Sequence, residues 1–290
     1  MKSYEWMVTY TPQKEWVERR GILIWLSLYA GIFGGGSYLV SLYFNTLWGM
    51  FISWLIITVL KTGLHVAHAE RPLKLWRMIL RPKTSWISRG LIITLLFIIF
   101  GAIQLAFSYW LPGTTEEMVF KVLTGIMAFG IILYAGFIMS YVHSIPFWNS
   151  ALLPALFIVW GILSGIALVM VIGLGVASID TRAVIAADLV FLIAAIILIV
   201  LYLWTATYAE PTTKQSVRDL TRGYPVLALV IGVVLCGIIM PLAISLSSYL
   251  SGNTPTPSLA ILVLAYEIVG GLAFMYSVLK VGLYRPLIPA

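Results

Sequence analysis

Two acidic side chains stand alone in the middle of long apolar segments. Asp188 and Glu267 have no buried lysine or arginine close to them in sequence. An ionisable group in such surroundings is costly unless it faces a cavity or a partner, and a carboxyl group there is largely protonated. The two residues are therefore candidates for relaying protons or binding a cation. A neutral carboxyl group that is hydrogen-bonded between two helices is the structural alternative.

A second candidate group combines two histidines with a tyrosine. His65 and His68 are one helical turn apart and share a face with Lys61, whereas Tyr134 lies in a different apolar segment. A histidine and a tyrosine that converge can each donate a hydrogen bond to one carbonyl oxygen of a quinone, and the imidazole can take up a proton when quinol is oxidised. Buried histidine and tyrosine are more often structural, so residue types alone leave both interpretations open.

Metal and haem chemistry has little support in the sequence. The single cysteine, Cys236, lies inside an apolar segment, which excludes an internal disulfide and a cysteine-ligated Fe–S cluster within the chain. With His143 as the third histidine, one bis-histidine haem between the second and fourth apolar segments is conceivable, but two stacked haems are not. The sequence contains no phosphate-binding glycine loop with its lysine, no HExxH motif and no nucleophile elbow.

The elements that must position these residues are helices in lipid. Of the 290 residues, 61% are hydrophobic and only 10% are charged, which is too apolar for a water-soluble protein of this size. A transmembrane helix needs about 20 mostly apolar residues. Eight segments qualify, approximately residues 21–44, 47–66, 87–110, 118–141, 152–172, 183–209, 225–250 and 258–281. The sequence predicts an all-α polytopic membrane protein with eight transmembrane helices arranged as two four-helix bundles.

Three units are expected along the chain. Residues 1–20 form an N-terminal interfacial tail, residues 21–173 a first four-helix bundle with the candidate quinone site and a basic loop at 67–90, and residues 174–290 a second four-helix bundle. The division falls at the polar stretch Ser178–Arg182, and counting the fifth span with the three later ones gives four spans in each bundle.

The positive charge is distributed very unevenly. All but two of the 18 Lys and Arg residues belong to the side of the N-terminus, and the exceptions are Lys121 and Arg182. The positive-inside rule therefore predicts that both termini are cytoplasmic, and the net charge of +7 needs no nucleic acid to explain it. The basic loop also carries Trp76 and Trp86, so it is either a contact surface for a partner or a loop that anchors the chain to lipid headgroups.

This loop carries the strongest resemblance to a known family. Residues 68–90 read HAERPLKLWRMILRPKTSWISRG and resemble the Arg-Pro, Trp-Arg, Arg-Pro-x-[Thr/Ser]-Ser-Trp series of the NrfD/PsrC-type membrane subunits of polysulfide, thiosulfate, dimethyl sulfoxide and related reductases. Two more stretches are similar to that family: YAGFIMSYVHSIPFWNSALLPALF from Tyr134 and AGIFGGGSYL from Ala30. The segment YEIVGG around Glu267 resembles the last span of dimethyl sulfoxide reductase anchors.

The resemblance implies a function and a set of partners. It implies a membrane anchor subunit that binds menaquinone or ubiquinone and exchanges electrons with a docked four-cluster ferredoxin-like subunit. That subunit is wired to a molybdopterin or tungstopterin catalytic subunit. The resemblance also implies that the chain itself holds no haem or metal, that the Fe–S clusters and molybdopterin belong to the partners, and that the complex lies in the plasma membrane of a prokaryote.

The resemblance assigns roles residue by residue. Tyr134 would donate a hydrogen bond to the quinone, and His68 looks like the quinol-associated histidine of dimethyl sulfoxide reductase anchors, with His65, Glu70 and Arg71 beside it. Apart from the resemblance, the depth of Asp188 and Glu267 in apolar segments makes them the candidates for proton transfer. Docking of the Fe–S subunit would fall to exposed aromatic, basic and amide side chains, namely Arg71, Trp76, Arg77, Arg81, Trp86, Trp148 and Asn149.

Two departures from the family pattern change the expectation. The first span has Leu23 and Leu26 at the positions nearest the polar Asn and His of the polysulfide reductase type, so the quinone head group is expected to sit differently. The docking loops of well-known members face outside the cytoplasm, whereas the charge count puts them inside. The competing functions are a secondary transporter or proton-conducting protein that uses Asp188 and Glu267, and an inert structural anchor.

Overall fold

Eight long helices make up most of the molecule. A computed structural model describes residues 10–174, 176 and 179–286, so residues 1–9 of the predicted tail and Ser178 of the predicted division lie outside the described residues. Each of the eight is apolar and long enough to cross a membrane, which confirms the predicted fold class of an all-α polytopic membrane protein. We number them span 1 to span 8: Gly21–Tyr43, Leu47–His68, Trp86–Trp110, Thr115–Ser140, Leu152–Gly173, Thr181–Tyr208, Ala228–Ser251 and Pro257–Lys280.

Four of the spans begin with a side chain that caps the helix. Ser85, Thr114, Asp180 and Thr256 each accept hydrogen bonds from backbone N–H groups of the first helical turn. The first N–H groups of a helix have no partner within the helix, and leaving them unpaired at the edge of the bilayer is costly. These polar residues therefore mark where spans 3, 4, 6 and 8 start.

Two spans depart from regular α-helix. Span 2 is π-helical from Ile56 to Lys61, between α-helical turns on either side. Span 7 is π-helical from Ala228 to Ile239 and returns to α-helix at Met240–Ser251, where Pro241 lacks a backbone N–H. A π-helical turn changes the direction in which the side chains after it point, and such turns are common at functional sites.

Span 5 lies at the centre of the molecule. It packs against spans 1 and 4 and also against spans 6 and 8. Its closest approach is to span 1, where a Cβ at Gly36 would overlap the backbone of Gly161 and a Cβ at Gly165 would come 2.8 Å from the Gly36 carbonyl oxygen. Small residues allow this contact. The division of the chain into units at 21–173 and 174–290 remains a prediction.

Both ends of the described chain meet at one face of the molecule. The strand β1, Thr11–Pro12, pairs antiparallel with β2, Leu283–Tyr284. Close by, Glu18 and Lys280 form an ion pair at 2.8 Å, and this hydrogen bond from Lys280 lowers the pKa of the Glu18 carboxyl group from its usual value. We call this side of the molecule the N-terminal face. The loop after span 2 lies on it as well, since His68 Nδ1 is 3.0 Å from the Arg20 carbonyl oxygen.

Candidate functional site

A cavity opens between spans 2, 3 and 4 near the N-terminal face. Its polar groups come from Lys61, Thr62 and His65 of span 2, Thr94 of span 3 and Tyr134 of span 4. The rest of the wall is apolar. Span 3 contributes most of it with Ile87, Leu91, Leu95 and Ile98, span 2 contributes Val66, and the loop after span 2 covers the cavity with Leu75 and Met78. We call it the His65 cavity. Its few polar groups are set in an apolar lining around a free volume of about 80 Å³.

The side chain of Tyr134 packs against a glycine at the point where it reaches the cavity. Its ring lies against Gly90 of span 3, where a Cβ would overlap the ring, so only glycine fits at this position. The side chain is 5% exposed, and its hydroxyl has no hydrogen-bond partner among the described residues. A buried phenol usually finds a partner. Here the hydroxyl remains available as a donor to a molecule in the cavity.

His65 is held by a serine from span 1. The hydroxyl of Ser27 contacts His65 Nδ1 and also donates a hydrogen bond of 2.8 Å to the Lys61 carbonyl oxygen. A hydroxyl has one hydrogen to donate, so while that hydrogen is on the Lys61 carbonyl oxygen, the contact with Nδ1 is a hydrogen bond from the imidazole N–H to the hydroxyl oxygen. The neutral imidazole then presents an unprotonated Nε2. This tautomer can accept a proton from a ligand.

Lys61 is buried beside His65. Its side-chain nitrogen donates a hydrogen bond of 2.8 Å to the Thr94 hydroxyl, which in turn donates to the Gly90 carbonyl oxygen at 2.7 Å. Lys61 is 5% exposed, and within the described part of the chain no carboxylate forms an ion pair with it. Sequence reasoning placed Lys61 on the face of His65 but gave it no role.

The predicted quinone-binding residues fall into two groups. His65 and Tyr134 line the same cavity. His68 and Glu70 instead line a polar pocket on the surface of the N-terminal face, together with Lys14, Glu15, Glu18, Arg19 and Arg20. Arg71 is exposed and borders neither of the two. The helix of span 2 ends at His68, and Ala69 is already extended, so the chain turns away from the cavity at this point.

Most of the predicted docking residues are exposed or half-buried on the N-terminal face. Trp76 is 59% exposed, and the Arg77 guanidinium lies 5.7 Å from its ring centroid. Trp86 stacks on Phe137 of span 4. Arg81 and Asn149 are exposed too. Trp76 and Arg77 belong to the short 3₁₀ helix Pro72–Leu80, whose Leu75 and Met78 cover the His65 cavity.

Trp148 does not belong to this surface, which corrects its assignment to docking. It is fully buried, its indole N–H donates to the Val278 carbonyl oxygen at 2.8 Å, and its ring packs edge-on against Trp16. Gly282 leaves room for the ring. The indole therefore ties the connection between spans 4 and 5 to the end of span 8, and no docked partner can reach it.

Asp188 and Glu267 meet in a second buried polar cluster. Both are fully buried, and their carboxyl groups face each other within hydrogen-bonding reach. Ser245 of span 7 donates to Asp188 Oδ2 at 2.6 Å, while Asp188 Oδ1 and both Glu267 oxygens have no donor among the described residues. Two carboxylates this close in an apolar interior cannot both be charged. A proton on one of them would let that carboxyl group donate a hydrogen bond to the other.

Span 1 separates the two polar clusters. Ser27 faces His65, whereas Tyr29 faces the other way and its hydroxyl lies 3.1 Å from Ser164 of span 5. A Cβ at Gly271, one turn after Glu267 on span 8, would come 2.8 Å from the Tyr29 hydroxyl. The carboxyl pair therefore lies on the side of span 1 that faces spans 5 and 8, away from the His65 cavity.

Sequence reasoning missed Ser27, Gly90 and Thr94. Serine and threonine in transmembrane helices commonly bond to a carbonyl of their own helix, as Thr94 does with Gly90, so their presence gives no signal of a site. Ser27 directly follows Leu26, one of the positions considered for a polar contact from span 1. Within the residues that the structure describes, no three His, Cys, Asp or Glu side chains lie close enough together to hold a metal ion.

Comparison with known proteins connects this arrangement to a family. The chain matches no curated protein sequence. A profile of the family described as "Polysulphide reductase, NrfD" matches residues 21–286, which include all eight spans, the loop after span 2 and both polar clusters. The chain therefore belongs to the NrfD polysulphide reductase family and is a membrane anchor subunit of an oxidoreductase complex.

Proposed function

We propose that the chain binds quinol or quinone in the His65 cavity and exchanges electrons with an Fe–S subunit docked on the N-terminal face. The observation that carries this proposal is the pairing of an unpartnered Tyr134 hydroxyl with His65 in one apolar-walled cavity. The family supports association with a molybdoenzyme and Fe–S complex. The substrate is menaquinone or ubiquinone, and the partners are a four-cluster ferredoxin-like subunit and a molybdopterin or tungstopterin subunit.

Tyr134 and His65 have different roles at the quinone ring. Tyr134 donates a hydrogen bond to one ring oxygen. His65 serves the other: when quinol is oxidised, its Nε2 accepts the hydroxyl proton, and Ser27 holds the tautomer that makes this transfer possible. The two electrons leave to a cluster of the docked subunit, and the second hydroxyl proton leaves by way of His65 after the imidazolium has passed the first proton to water at the N-terminal face. In the reverse direction the imidazolium returns the proton to the ring oxygen.

The 3₁₀ helix Pro72–Leu80 supports electron transfer at this face. Leu75 and Met78 cover the cavity, while Trp76 and Arg77 point into solvent and are available to a partner. A docked cluster would be separated from the cavity by about the thickness of one helix, roughly 10 Å. This proximity suits direct electron exchange without any metal in the chain.

The carboxyl pair is proposed to hold and relay protons. Asp188 and Glu267 share one proton in an otherwise apolar region, and uptake or loss of a second changes the charge of the pair. The basic N-terminal face is proposed to be cytoplasmic, in the plasma membrane of a prokaryote. An acidic Fe–S subunit on that face would benefit from the same charges.

Tyr134→Phe, assayed in the purified complex, tests the site. We expect quinol-dependent turnover to fall by up to about tenfold, the value of a lost hydrogen bond, while activity with an artificial dye donor to the catalytic subunit persists. Tyr141→Phe is the matched control, because Tyr141 is exposed at the end of the same helix. Unchanged quinol turnover in Tyr134→Phe would refute the proposed site, and loss of both activities would show failed assembly.

A transporter that uses the carboxyl pair remains the rival function. It predicts a chain that purifies alone and without metals. The proposed function predicts that gentle detergent extraction yields the chain together with iron and molybdenum or tungsten, and without a haem absorption band. Metal analysis of the purified material distinguishes the two.

A further inference from the structure

The buried Lys61 ammonium group makes fewer hydrogen bonds than it has N–H donors. One of its N–H groups donates to the Thr94 hydroxyl at 2.8 Å, and Thr94 uses its own hydrogen on the Gly90 carbonyl oxygen. The ammonium has two further N–H groups, and no partner for them is found over the described ranges 10–174, 176 and 179–286. A buried cation of this kind is costly unless an anion lies beside it.

The surroundings are shaped to keep this side chain where it is. At Gly31 of span 1, a Cβ would come 3.1 Å from Lys61 Cε and 3.2 Å from Cδ, so a glycine stands where the lysine stem passes. Gly63, two residues further along span 2, shows the contrast, because a Cβ there would meet nothing within 4 Å. Lys61 is also the last residue of the π-helical segment of span 2.

The charged and titratable groups around Lys61 favour an anion in the cavity. His65 follows one turn later on span 2, and Tyr134 faces the cavity from span 4. In the described part of the chain, spans 1 and 3 contribute the hydroxyls of Ser27 and Thr94. None of these groups is an acid that could neutralise the ammonium at neutral pH.

We propose that Lys61 binds a negatively charged ring oxygen, so that the cavity holds the quinol as its monoanion. In this step the O–H bond of one quinol hydroxyl breaks, the proton moves to His65 Nε2, and both electrons of the bond stay on the ring oxygen beside Lys61. No oxidation occurs in this step. The inference rests on the proposed quinone function and assigns the electrostatic part of it to a residue outside the His65 and Tyr134 pair.

Two probes that differ in charge test this assignment. The first is 2-heptyl-4-hydroxyquinoline N-oxide, a quinol analogue that can ionise to an oxyanion, and the second is its O-methyl ether, which cannot. Binding of each to the purified complex is measured by fluorescence quenching. In Lys61→Met we expect the affinity for the ionisable probe to fall by about tenfold or more, the value of a charge-assisted hydrogen bond, and the affinity for the ether to stay within about twofold.

Two further substitutions of Lys61 separate the effect of its charge from a failure of the complex to assemble. Lys61→Arg keeps the charge and is expected to retain most of the difference between the probes. Lys61→Gln replaces Lys61→Met should the latter fail to assemble, as judged by the metal content of the purified complex. Equal affinity changes for both probes, or none for either, would overturn the role of Lys61 alone. Absence of binding of both probes to the wild-type complex would overturn the proposed quinone site together with it.

Discussion

Ser27→Ala tests how the serine of span 1 controls His65. The substitution removes the hydroxyl that contacts His65 Nδ1 and donates to the Lys61 carbonyl oxygen. Without it, the Nδ1 proton keeps only the Lys61 carbonyl oxygen as a partner among the described residues, and the tautomer that carries the proton on Nε2 becomes more accessible. That tautomer cannot accept a proton from quinol at Nε2. The fold should tolerate the change, since only one oxygen atom is lost.

The expected effect is set by the hydrogen bonds involved. Each is worth about 0.5–1.5 kcal/mol, and only the contact with the imidazole distinguishes the two tautomers. A loss of about 1–1.4 kcal/mol corresponds to a decrease in quinol-dependent kcat/KM of about five- to tenfold. Turnover with a dye donor to the catalytic subunit should not change, because the dye bypasses the quinone.

Ser37→Ala on the same helix is the matched control. Ser37 is also fully buried, but its hydroxyl has no hydrogen-bond partner in the described part of the chain. Quinol-dependent kcat/KM should therefore remain within about twofold of wild type, and the thermal stability should be equal or slightly higher, because no hydrogen bond is lost. The reasoning fails if Ser27→Ala retains wild-type activity or if both variants are equally impaired.

Three further predictions concern packing and docking. Gly36→Ala should lower the free energy of unfolding by about 3 kcal/mol or prevent folding, because the new Cβ overlaps the backbone of span 5. Gly63→Ala should raise the free energy of unfolding by about 0.5–1 kcal/mol, because its Cβ meets nothing within 4 Å. Equal midpoints of thermal unfolding in detergent for the two variants would contradict this. Gln104→Leu should lower the unfolding midpoint, since it removes the acceptor of the buried Tyr38 hydroxyl, a loss of about 1–3 kcal/mol. An unchanged midpoint would refute this role of Gln104. Arg77→Glu should reduce the yield of Fe–S subunit co-purified at low salt, whereas Lys214→Glu on the surface helix Pro211–Arg222 should not, and equal yields would argue against the docking surface.

Much of the fold can be predicted from the sequence because lipid imposes a simple rule. Each span needs about 20 apolar residues, and the polar caps at Ser85, Thr114, Asp180 and Thr256 stand where the helices must start. The same rule does not determine which faces of the spans meet. Nothing in the sequence alone indicates that Asp188 of span 6 and Glu267 of span 8 point at each other.

The site was predictable only in part, for reasons that lie in local structure. His65 and His68 share a helical face by spacing, but the helix ends at His68, which turns toward the Arg20 carbonyl oxygen at the surface. Trp148 has the residue type and position of an interfacial anchor, yet its indole is covered by the end of span 8. A tryptophan at a membrane edge can do either, and burial by a distant segment leaves no mark in the local sequence.

Photoaffinity labelling with an azido-quinone tests the central proposal most directly. Irradiation of the purified complex, with peptide mass spectrometry of the products, identifies the residues that contact the bound ring. The account predicts labels on the lining of the His65 cavity, in residues 61–98 and around Tyr134, and competition by unlabelled quinol. Labels confined to spans 6–8, or spread without competition over the lipid-facing surface, would contradict it.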